Sequence, residues 1–82
     1  MTIPQIYDSK PKAEYPKSAF IDYCLELLVN AEQEDEDWKV TETKAPTRDT
    51  VMNWCTGATK PTNPLYLKAL SIGLNIPINK LF

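Results

Sequence analysis

The sequence predicts an all-α protein: a compact bundle of four to five short helices, with an irregular N-terminal arm over residues 1–15 and one domain over residues 16–82. Three observations lead to this fold class. Apolar residues recur at a spacing of three and four through most of the domain. Residues that start or stop helices separate these periodic segments. The chain has 82 residues, of which 43% are hydrophobic, and this suits one small domain.

The first fifteen residues are expected to form an arm because Pro4, Pro11 and Pro16 interrupt them and no helical period is present. The arm has apolar side chains that are available to pack against the domain: Ile3, Ile6 and Tyr7. Two interpretations of its basic residues, Lys10 and Lys12, stay open. They indicate either an arm that enters a DNA minor groove or, as the favoured interpretation, a segment that is simply disordered or packed.

A first helix is expected to begin near Pro16, because proline is tolerated in a first helical turn. Its apolar residues form one wide stripe: Phe20, Tyr23, Cys24, Leu27, Leu28 and Ala31. The following segment, 32–45, is ambiguous. Trp38 and Val40 alternate with polar residues as in a strand, whereas Trp38, Thr41 and Ala45 suit one face of a short helix. A helix is favoured, because a lone strand would lack a pairing partner.

The next helix has clear boundaries. Pro46 disfavours helical structure at the residue before it, Thr47 is a good N-cap, and Asp49 lies in the first turn, where the helix dipole favours an anion. Gly57 is placed to end the helix in a left-handed conformation. Three residues share the face that is expected to point inward: Val51, Trp54 and Cys55.

A further helix is predicted to start at Asn63 as N-cap, with Pro64 in its first turn. Its apolar residues surround it almost completely, so we expect it to be central in the bundle: Leu65, Leu67, Ala69, Leu70, Ile72 and Leu74. Gly73 or Asn75 is expected to end it, and Pro77 to open a short last turn. The final two residues, which are apolar, should pin the C-terminus to the core.

The charge is unevenly distributed along the chain, although the net charge is only −2. Residues 21–42 carry eight acidic residues against one lysine, and residues 43–82 carry five basic residues against one acidic residue. The slightly negative net charge of the whole chain argues against a nonspecific nucleic-acid coat, but the basic C-terminal half is compatible with binding to a polyanion. The run Glu32–Asp37 is most simply a solvated helix end or loop.

Several classes of function are not expected. The chain has no histidine, so histidine-based acid–base catalysis, nucleophile–histidine pairs and histidine zinc sites are excluded. Cys24 and Cys55 each lie among apolar neighbours, as reduced core cysteines do. An enzyme, a metal or a cofactor is therefore not expected. The sequence has no apolar run near the length of a membrane span and no secretory signal pattern, so a cytoplasmic location is expected.

The C-terminal half carries a recognisable pattern, Val51-x-x-Trp54-x-x-Gly57-x-x-x-Pro61, then an apolar helix and an Ile76-Pro77…Leu81-Phe82 ending. With these residues the chain resembles the Cro and phage-repressor type of helix-turn-helix domain. The resemblance implies that the helix over 47–56 is the recognition helix that enters the DNA major groove. It also implies that the glycine ends this helix, and that a proline-containing loop leads to a packing helix.

The resemblance implies two sets of DNA-contacting residues. The base contacts would come from Thr47, Arg48, Asp49, Met52 and Asn53. The phosphate contacts would come from Lys44, Thr50, Thr59 and Lys60. In this interpretation Arg48 bonds guanine and Asn53 bonds adenine, while Asp49 accepts from cytosine N4 and Met52 contacts a thymine methyl group. The alternatives are an exposed Arg48–Asp49 pair at a helix start and a solvated Asn53.

The resemblance thus implies a small sequence-specific transcriptional regulator, a repressor or Cro-like protein of phages or other mobile elements. Double-stranded DNA would be its partner, and a homodimer would bind two half-sites. Either the arm or the first helix would supply the dimer surface. The alternative is a protein-interaction module on the same fold, an antirepressor or antitoxin-like partner that uses the acidic segment 32–37.

Overall fold

Five α-helices and one short 3-10 helix make up the computed structural model, which describes residues 1–11 and 14–82. The elements in chain order are α1 (Ile3–Ser9), α2 (Glu14–Glu34), α3 (Glu36–Val40), α4 (Arg48–Thr56), α5 (Pro64–Leu74) and a C-terminal 3-10 helix (Ile78–Lys80). The described ranges contain no strand. The all-α class and the bundle of short helices are therefore confirmed.

The N-terminal segment differs from the expected irregular arm, because Ile3–Ser9 is helical. A capping box starts this helix: the Gln5 N–H donates to Thr2 Oγ1 at 3.2 Å, and the Thr2 N–H donates to Gln5 Oε1 at 2.8 Å. The Thr-x-x-Gln spacing is itself a helix-start signal. Lys10 places its Nζ 5.6 Å from the centroid of the Phe20 ring, so it packs on the domain, and Lys12 lies outside the described residues.

The two ends of the chain meet in the core. The Ile3 N–H donates to the Leu81 carbonyl oxygen at 2.7 Å, and both side chains are buried. Pro77 precedes the 3-10 helix and Phe82 is half-buried, so the C-terminus is pinned as expected. The N-terminal helix is thus part of the same hydrophobic core as the rest of the chain.

The central helix is α2, and the expectation that α5 would be central is wrong. Helix α2 spans 21 residues and packs against α3, α4 and α5. It supplies four of the buried core side chains: Phe20, Ile21, Cys24 and Leu28. Helix α5 contributes only Leu70 to the fully buried set, and Ile72 is 71% exposed. The longer helix covers several neighbours, whereas α5 lies at one side of it and keeps an uncovered face.

The last turn of α5 lies very close to α2. A Cβ atom at Gly73 would lie 2.5 Å from both δ carbons of Leu27, so Leu27 would have to move to admit any larger residue. The Tyr23 hydroxyl donates to the Gly73 carbonyl oxygen at 3.2 Å across the same contact. Of the two candidate terminators, Asn75 is the residue that ends α5, with φ 57° in the left-handed region.

The ambiguous segment after α2 forms a short helix, as favoured, over Glu36–Val40. Asp35 caps it by accepting from the Asp37 N–H at 2.9 Å. Trp38 is buried and its ring lies 5.4 Å from that of Tyr66 on α5. The aromatic pair anchors a helix that is too short to be stable alone.

Candidate nucleic-acid interface

Helix α4 has the boundaries that the sequence predicts. Thr47 is the N-cap and accepts from the Thr50 N–H at 3.3 Å. Gly57 follows the helix with φ 84°, a left-handed conformation that stops it. The three residues predicted to face inward are all buried: Val51, Trp54 and Cys55. The helix is therefore held at both ends and along one face.

The opposite face of α4 is open. Asp49, Asn53 and Thr56 recur one turn apart along it and are exposed, with Thr50 and Met52 half-buried at its edges. Within the described residues, the side chains of Asp49 and Asn53 have no hydrogen-bond partner, whereas the Thr56 hydroxyl donates to the Asn53 carbonyl oxygen. Two polar side chains on a rigid helix are thus free to bond an external molecule.

Arg48 does not lie on this open face. Its Nε donates to Asp22 Oδ1 at 2.7 Å, and its other guanidinium contact is a 2.7 Å hydrogen bond to Ser18 Oγ. Both acceptors are on α2, so the side chain joins the start of α4 to the central helix. The hydrogen bond with Asp22 raises the pKa of Arg48 above its usual value. The charged partner is therefore Asp22 and not the adjacent Asp49.

Thr47 also forms side-chain hydrogen bonds within the protein. Its hydroxyl lies 3.0 Å from that of Thr50, in addition to its capping bond. The five residues predicted to contact bases are thus not equivalent. Asp49 and Asn53 are exposed and unbonded and Met52 is half-buried beside them, whereas Thr47 and Arg48 hold the helix in place.

The loop before α4 contains Lys44, which is exposed and flanked by two anchoring bonds. The Tyr66 hydroxyl donates to the Lys44 carbonyl oxygen at 2.6 Å, and the Ala45 N–H donates to Glu32 Oε1 at 2.7 Å. The backbone at Lys44 is therefore attached to α5 on one side and to α2 on the other, while its ammonium group faces solvent.

The loop after α4 carries Thr59 and Lys60, which are exposed. The Asn53 carbonyl oxygen accepts from the N–H groups of Ala58 and Thr59, at 2.9 and 3.2 Å. Pro61 is buried and secures the other end of the loop. Exposed cationic side chains therefore stand on the loops at both ends of α4, namely Lys44 and Lys60.

The connection from α3 to α4 is longer than in a helix-turn-helix. Seven residues, 41–47, separate the two helices, where the motif usually has three or four. Thr41 caps α3, Glu42 adopts a left-handed φ of 56°, and Pro46 disfavours helical structure just before Thr47. The pair is therefore a helix–loop–helix in which the loop is fixed by tertiary hydrogen bonds.

The acidic segment divides into two groups. Glu32 holds the 41–47 loop and Asp35 caps α3, so both serve the fold. Glu34, Glu36 and Asp37 are exposed. The structural role of Glu32 was not predicted, because its partner at Ala45 lies 13 residues away and no local pattern signals it.

Cys24 and Cys55 are buried free thiols, as expected, and the hydrogen bond with Cys55 together with burial raises the pKa of Cys24. Across residues 1–11 and 14–82 we find no group of metal-ligating side chains and no helix with the length and apolar character of a bilayer span. No family model, curated protein or solved structure matches the chain.

Proposed function

We propose that the protein is a sequence-specific DNA-binding transcriptional regulator that inserts α4 into the major groove. The observation that carries this proposal is the open face of α4, with its unbonded Asp49 and Asn53 side chains on a helix that is capped and buried on its other side. A major groove admits one α-helix and presents donors and acceptors to such side chains.

The side chains of the open face have distinct roles in this proposal. Asn53 bonds adenine N6 and N7, and Asp49 accepts from cytosine N4. The two residues are one helical turn apart, roughly 6 Å along the axis, so they reach neighbouring base pairs. Met52, at the edge, contacts a thymine methyl group. Arg48 does not read a base in this proposal. Its ion pair with Asp22 holds the start of α4 in position.

The flanking loops supply the phosphate contacts. Lys44 and Lys60 place positive charge on either side of α4, and Thr59 offers an exposed hydroxyl. Thr50 lies at the edge of the helix face, where its hydroxyl is shared with Thr47. Such contacts set the register of a protein on DNA and carry no sequence information.

A homodimer would place two copies of α4 on two half-sites. In the cytoplasm, the bound dimer would repress transcription by blocking polymerase.

A protein-interaction module is the competing function. It would use the exposed acidic residues Glu34, Glu36 and Asp37 against a basic partner. The geometry supports this module less, because the side chains of the other two acidic residues in the segment, Glu32 and Asp35, accept hydrogen bonds within the fold. This module would bind no DNA specifically, so one binding experiment separates the two functions.

Selection from a pool of randomised duplexes, followed by fluorescence anisotropy with the selected duplex, tests the proposal. Asn53→Ala should lose about 1–3 kcal/mol of discrimination at one adenine. Asn79→Ala, at an exposed asparagine on the 3-10 helix, should leave discrimination unchanged. If no duplex is enriched and none binds at about 50 mM salt, the DNA-binding proposal is wrong.

The salt dependence of binding tests the phosphate contacts separately. Lys60→Ala should weaken binding to all sequences alike and reduce the slope of log affinity against log salt by about 1. Lys80→Ala is the matched control, because Lys80 is also exposed but lies on the 3-10 helix, away from α4 in the chain. Equal slopes for the two variants would contradict a phosphate contact at Lys60.

A further inference from the structure

A shallow apolar groove of about 300 Å³ runs between α2 and α5. Its apolar lining consists of half-buried residues with small or branched side chains: Leu27, Ala31, Ala69 and Gly73. Ile72 also lines the groove, on the α5 side, and is 71% exposed. A single exposed isoleucine is ordinary, but here a largely exposed apolar side chain forms part of the wall of an apolar depression.

Opposite charges stand on the two rims of the groove. Lys68 is on the α5 side, one turn before Ile72 and on the same face of that helix. Glu34 is on the α2 side and exposed. Neither charge has a salt-bridge partner in the part of the chain that the structure describes, where the one ion pair is Arg48–Asp22.

A second copy of this surface has the features needed to cover it. A two-fold axis brings the same patch of two copies together, so the exposed Ile72 of each copy can meet the groove of the other. The same operation brings the cationic rim of one copy to the acidic rim of the other. A partner of another kind would need its own matching apolar side chain and charges, whereas a second copy has them already.

We propose that the α2–α5 groove is a homodimer interface, in which Ile72 of each copy enters the groove of the other and Lys68 pairs with Glu34 of the second copy. The relevance of this dimer to transcription rests on the proposed function, which needs two copies of α4 on DNA. The dimer itself requires no DNA. Its formation is therefore measured on the protein alone, and its failure is distinct from a failure of DNA binding.

Sedimentation equilibrium of the full chain without DNA tests the interface. The wild type should show a reversible monomer–dimer equilibrium, and Ile72→Glu should raise the dimer dissociation constant by at least about tenfold, because it removes apolar burial at two symmetric places. Ile78→Glu makes the same change at an exposed isoleucine of the 3-10 helix and should leave the dissociation constant unchanged. Circular dichroism checks that each variant is folded.

A charge exchange identifies the paired residues. Lys68→Glu and Glu34→Lys should each weaken the homodimer, because each places like charges across the interface twice. An equimolar mixture of the two variants should form a heterodimer, in which both symmetric contacts join opposite charges. The same restoration is expected in the homodimer of the double variant.

Three results would overturn the interface. They are a monomeric wild type at every accessible concentration, a dimer that Ile72→Glu leaves intact, and charge variants that do not associate when mixed. A monomer that still binds its selected duplex would overturn only the interface. A dimer that shows the expected charge exchange and binds no DNA would support the interface and overturn only the proposed function.

Discussion

Helices α4 and α5 are similar in length and both are capped, yet they relate to the core in opposite ways. Helix α4 has nine residues, and its three buried side chains fall on one face. Helix α5 has eleven residues, is apolar nearly all round, and buries only Leu70 completely. The comparison shows that the spacing of apolar residues, more than their number, determines which side of a helix faces the core.

The same difference separates two kinds of exposed surface. The open face of α4 is polar because the apolar residues of that helix are already used in the core. The open face of α5 remains apolar because α2 covers only one of its sides, which leaves Ile72 exposed. This contrast is the basis for proposing DNA bases as the ligand of the first surface and another protein surface as the partner of the second.

The largest expected effect tests this contrast directly. Trp54→Ala should lower the free energy of unfolding by about 3–5 kcal/mol, because it leaves a cavity beneath α4. Ile72→Ala should change it by no more than about 0.5 kcal/mol, because the residue is exposed. Urea denaturation of dilute protein, followed by circular dichroism, measures both. Similar losses for the two variants would contradict the burial difference between the helices.

The next effect concerns the contact that sets α5 against α2. Gly73→Ala should destabilise the protein by about 1–3 kcal/mol, because the new Cβ overlaps Leu27. Gly57→Ala should cost about 1–2 kcal/mol for a different reason, the left-handed backbone after α4. Only the loss of stability in Gly73→Ala should shrink in a Leu27→Ala background. A double-mutant cycle of Gly73→Ala and Leu27→Ala, measured by urea denaturation midpoints, checks this. Additive losses of stability in the two variants would contradict the overlap.

The N-cap side chains of α4 and α5 should contribute similar amounts to the stability of the protein. Thr47→Ala and Asn63→Ala each remove a side-chain acceptor from a first turn and should each cost about 1 kcal/mol. Thr47→Ser and Asn63→Asp keep an acceptor oxygen and should retain most of the stability. The measurement is again urea denaturation. A loss at one helix alone would show that the other helix start is held by packing.

Only a small effect on stability is expected at Arg48, because its pair with Asp22 is solvent-exposed. The informative measurement is DNA binding by Arg48→Ala and Asp22→Ala. If Arg48 positions α4, the two variants should weaken binding to a similar degree and leave the preferred bases unchanged. If instead Arg48 leaves Asp22 to read guanine, Asp22→Ala should bind at least as tightly as the wild type, and only Arg48→Ala should lose the guanine preference.

Features that depend on neighbouring residues could be predicted from the sequence. The start of α4 at Thr47, its end at Gly57 and the start of α5 at Asn63 follow from caps that act over a few residues. The Thr2–Gln5 box is of the same kind, so the helicity of α1 was predictable although an irregular arm was expected. The inward face of α4 follows from helical geometry alone.

The candidate site was predictable only in part. The pattern around α4 correctly places Asp49 and Asn53 on an exposed face. It does not place Arg48, because the acceptor of that side chain lies 26 residues earlier in the chain, on α2. It also does not reveal that Glu32 holds the loop before the helix. Such contacts depend on how the helices are packed, and no short-range pattern encodes them.

The amino-acid sequence by itself thus determined where most of the helices after the N-terminal segment start and stop, and which face of α4 is buried, because capping and helical periodicity are local. The tertiary structure alone decided that α2 is central, that Arg48 is attached to Asp22, and that the exposed Ile72 lines an open groove. The physical reason is that a helix with apolar residues on all sides has no preferred orientation of its own. The close approach at Gly73 lies on the side of α5 that α2 covers.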